Sequence, residues 1–272
     1  MTSQICTIGN VRIGEGRLAL IAGPCVAESR DLCLRVATEM SKLCGELGIG
    51  YVFKASYDKA NRSSYEGFRG PGLETGLKWL AEVRDEVGSP VLTDVHETSQ
   101  VAAVAEVADC VQIPAFLCRQ TDLLTEAGKL ARAVNIKKGQ FMAPWDMAGA
   151  VEKVRSAGGQ NVAVTERGTC FGYNRLVTDF RGIPQMRQFA PVVFDATHSV
   201  QEPGALGSAS GGKREFAPVL AAAAVAVGAD ALFVETHPEP AKAKSDAASQ
   251  LPLSEMRALL KRCLAIAEAS KS

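Results

Sequence analysis

Three observations in this sequence predict an α/β protein whose parallel strands and helices close into a (β/α)8 barrel. First, short apolar or β-branched runs recur eight times, at Leu18–Ala22, Tyr51–Ala55, Pro90–Asp94, Cys110–Ile113, Ala133–Lys137, Val162–Glu166, Val192–Asp195 and Ala231–Glu235. They are apolar throughout and do not alternate, which is the pattern of parallel strands covered on both faces. Second, segments with helical spacing lie between most of them: Asp31–Leu47, Leu73–Glu86, Ser99–Val107, Leu123–Arg132, Met147–Ala157, Phe216–Val227 and Leu253–Ala269. Strands alternating with helices of this length build βαβ units, and eight units suggest closure. Third, the chain has 272 residues and no linker or shift in composition. A TIM barrel routinely occupies ~250 residues as one domain, so residues 1–272 are expected to form a single one.

Ahead of the first strand, Ile5–Ile8 and Val11–Ile13 flank Gly9-Asn10, a two-residue hairpin signal. Residues 1–16 are therefore expected to form a hairpin capping one end of the barrel. Two connections, Ser56–Gly72 and Ser199–Arg214, are long and rich in Gly and Ser. On a compact scaffold such loops are more often functional than accidental.

Composition narrows the function. Thirty basic residues balance thirty acidic ones, which speaks against nucleic acid as a partner. A hydrophobic content of 47% excludes a disordered chain. The longest apolar stretch, Pro218 to Ala229, is well short of the ~20 residues of a membrane span. The first ten residues carry no basic stretch leading into an apolar run, so no secretory leader is expected. Eight cysteines lie singly, with no C-x-x-C, as in a cytoplasmic protein with reduced thiols.

The strand ends point to chemistry. Cys25 and Glu28 follow the first strand, Lys54 ends the second, and Asp94 and His96 end the third. Gln112, Lys137 with Lys138, Glu166 with Arg167, Asp195 with His198, and Glu235 with His237 end the rest. Any one of these is what a strand end shows where solvent begins. All three histidines of the chain fall in this set, however, and in a parallel barrel these ends share the face that carries active sites. Lys54, Lys59, Arg62, Lys137 and Arg167 would make that face cationic in a neutral protein, as anionic ligands require. The neutral donors of Asn61, Ser63 and Ser64 suit phosphate.

Cys25, His198, Glu235 and Asp246 form a candidate metal set, because the eighth strand adjoins the first when a barrel closes. Sulfur, imidazole and carboxylate together suit Zn²⁺ or Fe²⁺ better than Mg²⁺ or Ca²⁺. A buried structural role for Cys25 is the competing reading. Other motifs fail on context. Gly14-Glu15-Gly16-Arg17-Leu18-Ala19 precedes a strand instead of following one, and after Gly207–Lys213 Arg214 stands where a phosphate loop needs Ser or Thr.

Leu20-Ile21-Ala22-Gly23-Pro24-Cys25, the run Lys54 to Ser64, Gln112-Ile113-Pro114-Ala115-Phe116, Asn135-Ile136-Lys137-Lys138-Gly139, Phe194 to Ser199 and Ser245 to Pro252 resemble the 3-deoxy-D-manno-octulosonate 8-phosphate synthases. The resemblance runs from about Leu18 to Leu264. It implies a cytoplasmic transferase of lipopolysaccharide synthesis that condenses phosphoenolpyruvate with D-arabinose 5-phosphate and releases inorganic phosphate. A sister family makes 3-deoxy-D-arabino-heptulosonate 7-phosphate from erythrose 4-phosphate and carries Lys-Pro-Arg-Thr where this chain has Lys-Ala-Asn-Arg-Ser. A barrel that only binds sugar phosphates is the non-catalytic alternative.

Further expectations come from the resemblance. The metal-free class has asparagine after Gly-Pro, so Cys25 implies the metal-dependent class. One divalent ion per subunit, Zn or Fe(II) with Mn, Co or Cd as in-vitro substitutes, would be held by Cys25, His198, Glu235 and Asp246. Lys137 and Arg167 would hold the phosphoenolpyruvate phosphate, with Lys54 and Lys59 near its carboxylate and the sugar hydroxyls. Asn61, Arg62 and Ser63 would hold the pentose phosphate, with Arg119 from a neighbouring subunit of a homotetramer. Asp94, His96 and Gln112 would line the reacting centre, with Ala115 beside the substrate.

Overall fold

The computed structural model describes residues 4–62, 64–205 and 211–270. Ser63, and residues 206–210 of the expected Ser199–Arg214 loop, lie outside them. A first hairpin pairs β1 (Cys6–Ile8) with β2 (Val11–Ile13). The barrel strands are β3 (Ala19–Gly23), β4 (Gly50–Lys54), β5 (Val91–Asp94), β6 (Cys110–Ile113), β7 (Val134–Lys137) and β8 (Val162–Glu166). After a second hairpin, β9 (Thr169–Gly172) with β10 (Arg175–Val177), the ring continues with β11 (Val192–Asp195). Two short strands, β12 (Gln201–Glu202) and β13 (Gly211–Gly212), precede β14 (Ala231–His237), and β15 (Leu251–Pro252) extends its end. Strand β14 pairs in parallel with both β11 and β3, which closes the eight-stranded ring.

The helices are α1 (Arg30–Leu47), α2 (Leu73–Val87), α3 (Val101–Val107), α4 (Thr121–Leu130), α5 (Met147–Ser156), α6 (Gly182–Met186), α7 (Ala217–Ala226) and α8 (Met256–Ala269). Ser29 caps α1 by accepting from the Leu32 N–H, and Gly48 ends it in a left-handed conformation. The sequence reading misses α6 and the β9–β10 hairpin. Helix α6 has five residues with Pro184 inside it, too short for a period, and the hairpin lies largely exposed outside the ring.

Apart from Gly50 at the start of β4, each barrel strand is buried along its length, yet its two faces meet different partners. Outward residues such as Leu20, Val111, Ile136 and Val164 pack under the helices. Inward residues of the amino-terminal halves, including Ala19, Val52, Leu92, Cys110, Ala133, Ala163 and Ala231, form a separate cluster with Cys6, Ile8, Val11 and Ile13 of the first hairpin. Small inward side chains leave room that the hairpin fills, so the hairpin plugs the amino-terminal end. Its turn places Gly9 at φ 56°, a conformation that costs glycine little. Ile13 is fully buried there, so Ile13→Ala is expected to cost about 2–5 kcal/mol in urea unfolding while kcat is unchanged. A melt unaltered by that change would show that the plug carries no stability.

Candidate active site and metal centre

Strand alternation that buries Ala and Val at one end turns polar residues inward at the other. Lys54, Asp94, Gln112, Asn135, Lys137, Thr165, Asp195 and Glu235 all lie two positions beyond an inward apolar residue of their strand, or two beyond another of this set. Above them opens a cavity of about 870 Å³. It is lined by Lys54, Lys59, Asn61, Arg62, Asp94, His96, Gln112, Ala115, Lys137, Arg167, His198 and Asp246. The structure thus brings most of the sequence-predicted residues to one place. Cys25 and Glu235 are buried and do not line the cavity. Arg119 lines a separate depression with Cys118, Phe141 and Lys153.

Most of the lysines at this face arrive already paired. Lys54 Nζ lies 2.7 Å from Glu235 Oε1 and donates to the Cys25 carbonyl at 2.9 Å. Lys137 Nζ is 2.5 Å from Asp195 Oδ2 and sits 3.8 Å above the centroid of the Phe233 ring. Burial pushes the Lys137 ammonium down, against the pull of Asp195. Lys59 donates to Ser56 Oγ at 3.0 Å, and that hydroxyl donates to Asp94 Oδ2 at 2.7 Å. Arg167 is different. It is 5% exposed, its Nη2 donates to Gln201 Oε1 at 3.2 Å, and its Nη1 has no hydrogen-bond partner. An unpartnered guanidinium nitrogen on a residue that lines the cavity fits an anionic ligand.

Cys25, Glu235 and Asp246 each place one donor atom within 4.8 Å of the others. Gly23, which ends β3 two residues before Cys25, lies so close to β4 that a Cβ there would stand 2.0 Å from the Lys54 carbonyl oxygen. Cys25 Sγ is 3.1 Å from Asp246 Oδ2 and 3.0 Å from Ser245 Oγ. His198 flanks the group, its Nε2 3.8 Å from Glu235 Oε1 and 3.9 Å from Asp246 Oδ2. Its Nδ1 lies 2.7 Å from Asp195 Oδ2, an outer carboxylate of the kind that orients metal-bound histidines. Burial pushes the Cys25 thiol well up, with Asp246 and Glu235 acting the same way and Lys59 and Lys54 opposing. Glu235 Oε2 is buried without a partner. A cation would answer both features, stabilising the thiolate and occupying the orphaned oxygen, so the residues fit a thiophilic divalent ion.

A family profile described as the DAHP synthetase I family matches residues 2–270. The chain belongs to the DAHP synthetase I family. Relatives named 2-dehydro-3-deoxyphosphooctonate aldolase include one from a Cyanothece species, 57% identical over 94% of this chain and 95% of its own. Another from Koribacter versatilis is 57% identical over 96% and 95%, and one from Geobacter sulfurreducens is 53% identical over 98% of both chains.

In this DAHP synthetase I family member, Gln250 and Ser245, which the sequence marks only as part of the Ser245–Pro252 run, make contacts that hold the site together. Gln250 accepts from the Cys25 N–H at 3.3 Å and donates to the Ser245 carbonyl at 2.7 Å, so it brackets the loop bearing Asp246 to the loop bearing Cys25. Ser245 Oγ also accepts from Arg62 Nη1 at 2.8 Å, linking the donor cluster to the loop after β4. Asp246 itself has φ 47°, tolerated by Asp better than by most residues. Not every strand-end residue faces the cavity. His237 turns to Glu28, 3.9 Å away, and accepts from the Glu239 N–H. Lys138 and Glu166 are buried 3.5 Å apart, where Lys138 donates to Thr169 Oγ1 of the second hairpin.

Proposed function

We propose that this chain condenses phosphoenolpyruvate with D-arabinose 5-phosphate and water, giving 3-deoxy-D-manno-octulosonate 8-phosphate and inorganic phosphate in lipopolysaccharide synthesis. The convergence of Lys54, Lys59, Arg62, Lys137 and Arg167 on one cavity of a protein without net charge carries this reading. The names of the relatives agree with it. Carbon three of the enol must attack the aldehyde carbon, water must add at carbon two, and the phosphate must leave from carbon two. Two multiply charged anions therefore have to be held together in fixed orientation, which supplies much of the catalysis.

Lys137 and the open Nη1 of Arg167 hold the phosphoenolpyruvate phosphate, and Lys54 and Lys59 its carboxylate and the sugar hydroxyls. Asn61 and Arg62, which line the cavity, hold the pentose phosphate together with Ser63, a residue outside the described ones. His96 has a buried Nδ1 without a partner and stands 3.9 Å from Asp94, placed to orient the water or pass its proton. Cys25, His198, Glu235 and Asp246 hold one divalent cation per subunit, Zn²⁺ or Fe²⁺ by their donor chemistry. When bound, that cation supplies Lewis acidity to the reacting oxygens.

The protein works in the cytoplasm as one domain per chain; among the described residues, no helix is long and apolar enough to cross a membrane. Exposed Phe116, Phe141 and Trp145, with Arg119 lining a depression beside Phe141, support self-association, which the resemblance implies is tetrameric.

The test is phosphate release from phosphoenolpyruvate with arabinose 5-phosphate, before chelation, after it, and after metal return, with erythrose 4-phosphate as the competing sugar. Turnover with the pentose that falls on chelation and returns with metal is expected. Turnover with erythrose 4-phosphate alone, or none with either sugar, overturns the reading.

A further inference from the structure

Across the inside of the barrel, four strands share one line of side-chain hydrogen bonds. Asp94, Gln112 and Asn135 stand directly opposite one another on β5, β6 and β7. Thr165 on β8 joins them from one layer higher, opposite Lys137. Thr165 Oγ1 lies 2.7 Å from Asn135 Oδ1, Asn135 Nδ2 3.0 Å from Gln112 Oε1, and Gln112 Nε2 3.0 Å from Asp94 Oδ1. Ser56 reaches the other oxygen of Asp94. Asn135 and Thr165 are fully buried, and neither lines the cavity.

The chain of bonds has only one workable direction while Asp94 is ionised. A carboxylate can only accept, so Gln112 must present its NH₂ to Asp94. Its carbonyl oxygen then faces Asn135, which must present its own NH₂, leaving Asn135 Oδ1 to accept the Thr165 hydroxyl proton. Each amide is held against rotation by the next. We propose that Asn135, backed by Thr165, is a positioning residue that locks the Gln112 amide and so keeps Asp94 an acceptor-only carboxylate at the reacting centre. The role at a reacting centre rests on the function proposed above; the bond geometry does not.

The charged and titratable groups facing Asp94 are Lys54, Lys59, His96 and Tyr57. Burial alone would raise the Asp94 carboxyl, but Lys54, Lys59, His96 and the Ser56 hydroxyl bring it down to about 2. Removing the lock lets the Gln112 amide turn its oxygen toward Asp94, where two acceptors meet unless the carboxyl takes up a proton. The acidic limb of kcat/KM must then move up in pH.

Thr165→Val removes the hydroxyl at nearly constant volume, and Thr165→Ser restores it. Asn135→Asp removes the donor to Gln112 outright. Between about pH 4 and pH 8, the intact protein should show no titration of Asp94, read from the carboxyl infrared band that Asp94→Asn abolishes. Thr165→Val is expected to lower kcat/KM about three- to ten-fold at the acid end, with recovery toward neutrality, and Thr165→Ser to follow the parent profile. Asn135→Asp should bring the Asp94 band, read as the difference from the same variant carrying Asp94→Asn, into that pH window and cost about ten-fold or more.

Should Asn135→Asp not fold, the two Thr165 variants decide alone. The proposal is overturned if Thr165→Val leaves both the profile and the infrared titration unmoved, or if serine fails to restore them. If the intact protein turns over neither sugar phosphate, the proposed function fails, and the infrared titration still decides the relay.

Discussion

Cys25→Ala is expected to strip the protein of its divalent metal and to reduce turnover by more than about 100-fold, beyond what the loss of an outer partner alone costs. The variant isolates the sulfur, because Lys54 binds the Cys25 backbone carbonyl and that contact survives any side-chain change. Without the thiolate the remaining donors are oxygens and one imidazole, a set that favours thiophilic ions less. Metal analysis of the purified variant, together with phosphate release, checks the result. Cys25→Asn should behave differently. By the resemblance to the metal-free synthases it should give a weaker enzyme that chelator does not affect. Full activity of the parent protein in chelator would reduce Cys25 to a buried thiol.

The second large effect separates the two anion sites. Lys137→Ala should raise the KM for phosphoenolpyruvate, and Arg62→Ala that for arabinose 5-phosphate, each by about 10- to 100-fold for a lost charged hydrogen bond. Stability divides the variants as well. Lys137 is buried against Asp195, and removing the cation leaves that carboxylate with the His198 ring and the Thr197 hydroxyl as its side-chain partners. Such a broken buried pair costs about 3–5 kcal/mol. Arg62 is half-buried at the rim and among the described residues bonds the Phe68 and Lys244 carbonyls and Ser245 Oγ, so its loss should leave the urea midpoint nearly unmoved. A rise in the same KM from both variants would show that the assignment is wrong.

The barrel was legible because parallel strands covered on both faces leave continuous apolar runs, and a run such as Val162–Glu166 has the same bounds in sequence and structure. The juxtaposition of Cys25 with Glu235 was legible once closure was assumed, since the eighth strand must then meet the first. Gln250 was not, because its work is to bond two loops whose separation in space no spacing reveals. Asn135 and Thr165 left a faint signal, a polar residue inside each apolar run, but which strand neighbours they meet depends on register. His237 shows the opposite failure: a strand-end position did not say that its ring turns toward Glu28.

The closing of the ring bears on how the site comes into being. Cys25 follows β3 and Glu235 lies on β14, neighbours only because the last barrel strand docks on the first. Some two hundred residues separate the sulfur from its carboxylate companions, so a barrel lacking its final strand has neither the donor cluster nor the Lys54–Glu235 pair. A cation bound there clasps the two ends of the sheet, and its affinity is drawn from the same free energy that holds the seam shut. Metal uptake during refolding would therefore mark the moment the circle is complete.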